Sequence, residues 1–224
     1  MSVRSYLLFF LCMAVSLASS AQRRRPHAPP IVIDPPKTGW LLSTNLQSLH
    51  DFDAGPSLAV EYRYSKYWGV VIEGMAVMYQ GLGSGGSTPH GFRVQPELRF
   101  YFPGRYERYR GFFSLQAAYK QTSYQQTAMV ERTPNTNRTS WESVDYEERK
   151  YTRSIAGNIG FQARLGKSQR FMLECYGGLG VKSKNFGNRP ANMVKASSLW
   201  LSVYQAEDGD FIHIPMGFRL GYRL

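Results

Sequence analysis

The feature that most constrains the fold is an alternation of apolar and polar side chains with a period of two, repeated in segments of about ten residues. The clearest segment is 92–102, where phenylalanine, valine and leucine alternate with arginine, glutamine and glutamate. Successive side chains of a β-strand point to opposite faces, so this pattern predicts a strand with one apolar and one charged face. A chain built from such segments needs an apolar environment on one side of its sheet.

Eight segments carry this pattern, so the fold class is all-β. The predicted strands cover residues 38–46, 57–64, 68–79, 92–102, 112–124, 154–165, 171–182 and 212–224. The connections alternate in length: short ones cover 65–67, 103–110 and 166–169, and long ones cover 80–91, 130–150 and 185–209, although the first connection on the long side, around 50–54, is also short. Tight turns on one side and long loops on the other are typical of outer-membrane barrels. We therefore predict a closed antiparallel transmembrane β-barrel of about eight strands with a polar lumen, over residues 38–224.

Aromatic residues cluster at the strand ends next to the short turns, as they do at a membrane interface. They are Trp40, Tyr64, Trp68, Phe100, Phe102, Phe113, Phe171 and Tyr222. Pro96 and Pro215 lie inside predicted strands, and a closed barrel has no edge at which a missing backbone donor is harmless. We expect a β-bulge at each of these prolines.

Residues 1–21 have the three parts of a secretory signal peptide. Arg4 gives a positive start, residues 6–17 carry no charge, and residues 19–21 supply the small side chains of a cleavage site. The uncharged run is shorter than the roughly 20 residues of a membrane-spanning helix. We predict cleavage after Ala21, which leaves Cys175 as the only cysteine and the fold without an internal disulfide.

Residues 22–37 contain three consecutive arginines and five prolines. This composition favours an extended chain over a packed core, so we predict a periplasmic tail before the barrel.

Charged residues fall on the face of the strands that a barrel turns inward. They are Glu61, Arg63, Glu73, Arg93, Glu97, Arg99, Arg164, Glu174, Arg219 and Arg223. The mixture of acids and bases allows two interpretations, a polar pore or a salt-bridged plug. Eight strands leave an interior about wide enough for side chains alone, which favours the plug.

Two stretches resemble a family of uncharacterised small outer-membrane β-barrel proteins of Bacteroidetes-type bacteria. They are 41–46 with 56–62 and 67–68 near the start, and 177–182 with 217–224 at the end. The resemblance implies a barrel fold and an outer-membrane location, and it implies no site. Residues 222–224 also look like the terminal signal that the barrel-assembly machinery recognises, although Leu224 stands where phenylalanine is commonest.

No combination of residues predicts a catalytic, cofactor-binding or metal site. His213 near Ser123 or Ser154 gives the best alternative, an outer-membrane lipid-modifying hydrolase, but no motif joins these residues. No histidine, cysteine and carboxylate cluster has the spacing of metal ligands. A second alternative is a soluble, lipocalin-like barrel that binds a small hydrophobic ligand.

The net charge of +11 raises the question of nucleic-acid binding, which the distribution of charge argues against. The base excess lies in the tail and the short turns, while the long loops hold an acid excess. We therefore predict outer-membrane lipid, the assembly machinery and anionic periplasmic material as partners, and no nucleic acid. The predicted function is that of a non-enzymatic bacterial outer-membrane barrel with a structural or surface-interaction role.

Overall fold

The computed structural model describes residues 39–51, 53–80, 88–102, 108–132, 140–166, 168–188 and 209–224. The predicted signal peptide (1–21) and tail (22–37) lie outside these residues, as does most of the predicted loop 185–209. No helix within the described ranges is long and apolar enough to cross a bilayer.

The described chain consists almost entirely of β-strands. They are β1 Gly39–Asn45, β2 Asp53–Ala54, β3 Ser57–Arg63, β4 Trp68–Val77, β5 Tyr79–Gln80, β6 His90–Tyr101, β7 Tyr109–Arg132, β8 Ser140–Leu165, β9 Phe171–Gly187, β10 Gly209–His213 and β11 Met216–Arg223. A short 3₁₀ helix, Leu46–Leu49, follows β1, and β2 pairs with β5 in a separate small sheet.

Eight antiparallel strands close into a ring in the order β1, β3, β4, β6, β7, β8, β9 and β11. The last strand pairs back to the first, with Leu41 opposite Arg223 and Asn45 opposite Arg219. Strand β10 precedes β11 in the chain and pairs with the part of β9 that extends past β11. The two strands pair with β9 in one continuous register. Closure leaves no open sheet edge within the ring. The predicted barrel of about eight strands is confirmed.

The wall of the barrel is apolar outside and polar inside. Exposed apolar side chains on its outer face include Leu58, Ile72, Leu115, Ile159, Leu179 and Leu220. Buried side chains inside include Glu61, Glu73, Gln95, Glu97, Arg99, Asn158, Glu174 and Arg219. This is the polarity of a transmembrane barrel, whose outer face contacts lipid. The lipocalin-like alternative does not hold, because its ligand would need an apolar interior.

The predicted aromatic residues form contacts next to the short turns. Trp68 and Phe100 meet edge to face with ring centroids 5.2 Å apart, and Phe171 and Tyr222 meet at 5.3 Å. In the turn between β3 and β4, the Ser65 hydroxyl accepts hydrogen bonds from the backbone N–H groups of residues 67 and 68. Side-chain acceptance of this kind stabilises a tight turn without a glycine.

The expected β-bulges at the two prolines are absent from these strands. The pairing of β6 with β7 has the same register on both sides of Pro96, and the ladder from β9 to the last strand keeps its register across Pro215. The Gly178 N–H still donates to the Pro215 carbonyl at 3.0 Å. Each proline therefore removes a backbone donor and inserts no extra residue.

The prediction of a long polar loop over 130–150 is wrong. Strands β7 and β8 remain paired from Tyr109 and Ala163 to Arg132 and Ser140, so most of this segment is a two-stranded ribbon. The neighbouring strands stop earlier, with the last pairs at Ser123 on β7 and Arg149 on β8. Residues 125–132 and 140–147, here called the outer ribbon, thus extend about 25 Å beyond the ring.

Candidate functional site: the charged barrel interior

The middle of the lumen is occupied by charged residues from five different strands. Glu61 lies on β3, Glu73 on β4, Glu97 and Arg99 on β6, Glu174 on β9, and Arg219 on β11. Each occupies an inward position of its period-two pattern, and all six are at most 2 % exposed. The sequence pattern alone therefore brings these charges together once the ring closes.

Two arginines hold the glutamates in one connected network. The Arg99 guanidinium lies 2.7 Å from Glu174, 2.8 Å from Glu97 and 3.0 Å from Glu61. The Arg219 guanidinium lies 2.8 Å from Glu73, 2.8 Å from Glu174 and 3.0 Å from Glu97. Glu97 and Glu174 bridge the two arginines, because each contacts both.

Two further arginines complete the charge balance of this central network. Arg63 pairs with Glu61, and Arg93 contacts Glu73 at 2.8 Å. Four carboxylates thus meet four guanidinium groups, so the charges of the network balance. Removal of an ion from water costs several kcal/mol, and such an arrangement is stable only when the charges are paired and hydrogen-bonded. The predicted paired network is confirmed.

Aromatic rings fill the space between the network and the wall. Arg99 lies over the ring of Phe112 at 4.5 Å, and Arg219 lies over the ring of Tyr176 at 4.6 Å. Glycines on neighbouring strands make room for these rings: a Cβ at Gly160 would lie 2.2 Å from Phe112, and one at Gly217 would lie 2.2 Å from Tyr176. The rings and the ion pairs together fill the half of the lumen that lies toward the short turns, here called the lower half.

The end of the lumen next to the short turns is also narrow. Arg63, Arg164 and Arg223 line a cavity of about 20 Å³ there, together with Leu41 and Met172. This volume holds about one water molecule. The predicted lumenal residues Arg164 and Arg223 therefore lie between the central network and the short turns.

The upper half of the lumen contains a polar cavity of about 160 Å³. Its lining includes Arg93, Gln95, Gln116, Tyr176 and His213. Two buried donors at this cavity, Nε of Arg93 and Nε2 of Gln95, have no hydrogen-bond partner in the described part of the chain. A cavity of this size has room for several water molecules.

The first outer connection folds into the mouth above this cavity, and we call its described residues, 46–51 and 53–54, the lid. The Ser48 hydroxyl donates to the carbonyls of Asn45 and Gly55 at 2.7 and 2.9 Å. Ser48 and Ala54 are buried. The Met78 N–H donates to the Ala54 carbonyl at 2.9 Å, which ties the lid to the end of β4.

Asp53 anchors the lid to the opposite wall. Its carboxylate lies 2.9 Å from Nζ of Lys120 and 3.3 Å from Nζ of Lys150, and it accepts a hydrogen bond from the Tyr124 hydroxyl. Burial alone would raise the pKa of Asp53, but the two ammonium groups and the hydroxyl lower it to about 2. The lid is therefore held by an ionised carboxylate throughout the neutral and mildly acidic range.

The residues of the hydrolase alternative do not form one site. His213 and Ser154 face the lumen, whereas Ser123 faces outward, because the inward positions of β7 in this region are Thr122 and Tyr124. His213 lies opposite Gly180, two strands away from β8, and no hydrogen bond joins it to Ser154 among the described residues. In the described ranges, no group of three or more metal-ligating side chains is present.

The contacts of Asp53 with Lys120, Tyr124 and Lys150, here called the lid anchor, were not predicted from the sequence. Lys120 and Tyr124 lie in the predicted strand 112–124, but they were not among the predicted lumenal residues. Lys150 lay in the predicted loop 130–150, and Asp53 lay in the short connection around residues 50–54. The contact between Asp53 and Lys150 depends on the extension of β8 past Lys150.

No protein-family model and no curated protein sequence matches the chain. Among solved structures, the crystal structure of Acinetobacter baumannii CarO2 is similar at 10% sequence identity, with a TM-score of 0.36 over 84% of this chain and 98% of that one. The solution NMR structure of a mutant of Outer Membrane Protein G from Pseudomonas aeruginosa is similar at 17% identity, with a TM-score of 0.34 over the same shares. Neither similarity transfers a residue role.

The location follows from the wall of the barrel itself. A closed ring with an apolar outer face, short turns on one side and longer connections on the other is the architecture of bacterial outer-membrane barrels. The protein is an outer-membrane β-barrel.

Proposed function

We propose that this protein is a non-enzymatic outer-membrane barrel whose lumen does not conduct and whose role is structural or carried by contacts at the cell surface. The chain would be exported by the signal peptide of residues 1–21 and inserted by the barrel-assembly machinery. The basic tail, residues 22–37, would remain in the periplasm. The proposal concerns the role of the barrel, and no single ligand is part of it.

The observation that carries the proposal is the central network. Glu97 and Glu174 each contact both Arg99 and Arg219, so the ion pairs cross the lumen from β6 to β11. A permeating ion would have to break buried charge pairs that have little access to water. The lid adds a second obstruction at the outer mouth.

Surface contacts are proposed for the outer ribbon. Beyond the ring, no third strand pairs with residues 125–132 and 140–147 within the described part of the chain. Met129 and Trp141 are more than half exposed there. Exposed aromatic and methionine side chains are enriched in protein interfaces, so the ribbon is the best surface for a partner outside the cell.

A further proposed contact lies at the opposite end of the barrel. Arg108 and Arg170 are exposed near the short turns, and Arg110 is half-buried beside them. Together with the arginines of the tail, these side chains favour anionic periplasmic material or the head groups of inner-leaflet lipids.

The proposal is tested by reconstituting the purified, folded barrel in planar lipid bilayers. We expect no stepwise current, because the network closes the lumen. The assay is calibrated with a general porin at the same protein concentration, and folding is verified by faster migration of unboiled protein on a denaturing gel. Sustained single-channel currents from the parent protein would contradict the closed lumen.

Cell fractionation tests the location and the surface role separately. We expect the mature protein in the outer-membrane fraction, and we expect protease added to intact cells to cut the outer ribbon. Recovery in the soluble periplasm would contradict the membrane barrel. Cleavage confined to residues 103–110 would show that the ribbon faces the periplasm.

A further inference from the structure

The apolar outer face of the barrel ends at a polar boundary on three neighbouring strands. The outward residues at this level are Arg153 on β8, Ser183 on β9 and Asp210 on β10. Arg153 lies opposite Ser183, which in turn lies opposite Asp210. The next outward residues below them, which begin the lipid-facing surface, are Ile155, Val181 and Ile212, and on β7 the aromatic Tyr119 already lies opposite Arg153.

A groove of about 600 Å³ lies directly below this boundary. The apolar outward side chains that line it are Val94, Pro96, Ala117, Tyr119, Ile155 and Val181, and the polar Arg153, Ser183 and Asp210 line its upper end. Ala117 is the smallest of them, and its short side chain leaves space between β6 and β8. The volume falls within the range of about 300–1,000 Å³ that is typical of ligand pockets.

A groove at this height of the wall has to be filled by hydrocarbon. Water has no hydrogen-bond partners among its apolar side chains, and an empty space would forfeit dispersion contacts. Because lipid tails are as apolar as the wall, burial of a tail in the groove does not by itself select one lipid over another. Selection depends on the polar residues above the groove.

Arg153 is a cation at the upper end of this groove. It is exposed, and it makes no ion pair or hydrogen bond within the described residues. Arg149, four residues earlier on the same face of β8, instead pairs with Glu147 at 3.4 Å. The Arg153 guanidinium is therefore available to a phosphate, for which its planar fork of donors is well suited.

Asp210 adds a hydrogen-bond acceptor to the polar boundary. It lines the same groove two strands away from Arg153, a separation of about 10 Å at the usual strand spacing. A carboxylate repels phosphate but accepts hydrogen bonds from sugar hydroxyls. The pair thus fits a head group that carries both a phosphate and hydroxyls.

We propose that this groove holds one acyl chain of a phosphorylated saccharolipid of the outer leaflet, with the lipid phosphate on Arg153 and its sugar hydroxyls near Asp210. The proposal rests on the proposed orientation, in which the long connections face the cell exterior. The lipid would stay bound to the outer wall of the barrel and would not enter the lumen.

The test uses the folded barrel in non-ionic detergent and monophosphoryl lipid A as the probe, with native mass spectrometry to count the lipids retained. We expect one lipid A molecule to remain bound to the parent protein. Arg153→Ala should weaken binding about fivefold, the effect of one basic residue at a membrane surface. Ala117→Phe should weaken binding at least as much, because the ring fills the groove.

Two matched variants serve as controls. Arg149→Ala removes a cation from the same face of β8, and Ala76→Phe adds a ring at an exposed position of β4, away from the groove. Both should bind lipid A like the parent. Equal losses for Arg149→Ala and Arg153→Ala would show general charge attraction and overturn the site, as would unchanged binding by Ala117→Phe.

Two further measurements separate the other outcomes. Phosphatidylcholine should be retained at least fivefold less well than lipid A, and inorganic phosphate should not bind measurably; the reverse result for either would overturn the proposed saccharolipid. A parent protein that lacks the fast-migrating folded band would instead refute the membrane barrel, which keeps that failure distinct from failure of the lipid site.

Discussion

The lower and upper halves of the barrel interior are closed in different ways. In the lower half, four glutamates, four arginines and three aromatic rings fill the lumen, and the central charges are almost completely buried. In the upper half, a cavity of about 160 Å³ remains, and the lid covers it. The carboxylate of Asp53 anchors the lid to β7 and β8.

From this difference we expect a permanent closure in the lower half and a reversible one in the upper half. The lower half cannot open without exposing unpaired charges in a poorly hydrated interior, which is costly for each group. The lid can move away after the loss of contacts at Asp53, since Lys120 and Lys150 have some access to water. Variants in the lower half should therefore affect the whole barrel, whereas variants of the lid should act locally.

The largest effect is expected from Arg99→Leu in the central network. This change leaves Glu61, Glu97 and Glu174 without the cation that contacts all three. Removal of one partner from a buried charge network costs about 3–5 kcal/mol. We expect a loss of this size in the free energy of unfolding, measured by urea titration of the folded barrel in lipid vesicles.

The control for this variant is Arg149→Leu, which breaks the exposed pair with Glu147 on the outer ribbon. We expect no measurable change in its unfolding midpoint, because exposed ion pairs contribute little. Equal stability of the Arg99→Leu and parent barrels would mean that the network is hydrated and that the lower half resembles the upper one.

An intermediate effect is expected from Gly160→Val, which tests the aromatic packing of the lower half. A Cβ at this position would lie 2.2 Å from Cζ and 2.5 Å from Cε1 of the fully buried Phe112. Overpacking of this kind costs about 1–3 kcal/mol. The same substitution in a Phe112→Leu background should cost less in the urea titration, and an equal cost in both backgrounds would show that the ring is not the obstacle.

The outer and inner faces of the barrel could be predicted from the sequence because each strand has a period of two. In segment 92–102, every arginine and glutamate predicted to face inward does so. The strand ends were predicted less well where that period stops. The outer ribbon mixes polar and apolar residues on both faces and pairs through its backbone, so no alternation marks it as a strand.

The charged site could be predicted as a set of residues but not as a set of contacts. Inward positions identified Glu97, Arg99 and Arg219, whereas their distances depend on the stagger of the strands around the ring. The lid anchor could not be predicted from the sequence for a similar reason. Asp53 and Lys150 are 97 residues apart, and only closure of the ring brings them together.

The smallest effect is expected from Asp53→Asn, which should loosen the lid and leave the ring intact. The Gly55 N–H donates to the Ser48 carbonyl of the lid at 3.0 Å, so its hydrogen exchange reports lid opening. Loss of the charge contacts of Asp53 should favour the open lid by about 1–2 kcal/mol, which corresponds to about 5–30-fold less protection of this amide. The urea midpoint of the ring should hardly change.

The pH dependence of this protection identifies the responsible group. Because the pKa of Asp53 is lowered from 3.8 to about 2, its contribution to the closed lid is complete above about pH 4 and is lost as the pH falls through about 2. Protection of the Gly55 amide, corrected for the intrinsic exchange rate, should therefore stay constant from pH 7 to pH 4 and then decline in the parent, but show no such decline in Asp53→Asn. A decline of the parent between pH 7 and pH 5 would assign control of the lid to another group, since a carboxylate with a lowered pKa stays ionised in that range. The upper half would then be closed by a different contact from the one that the distances around Asp53 indicate.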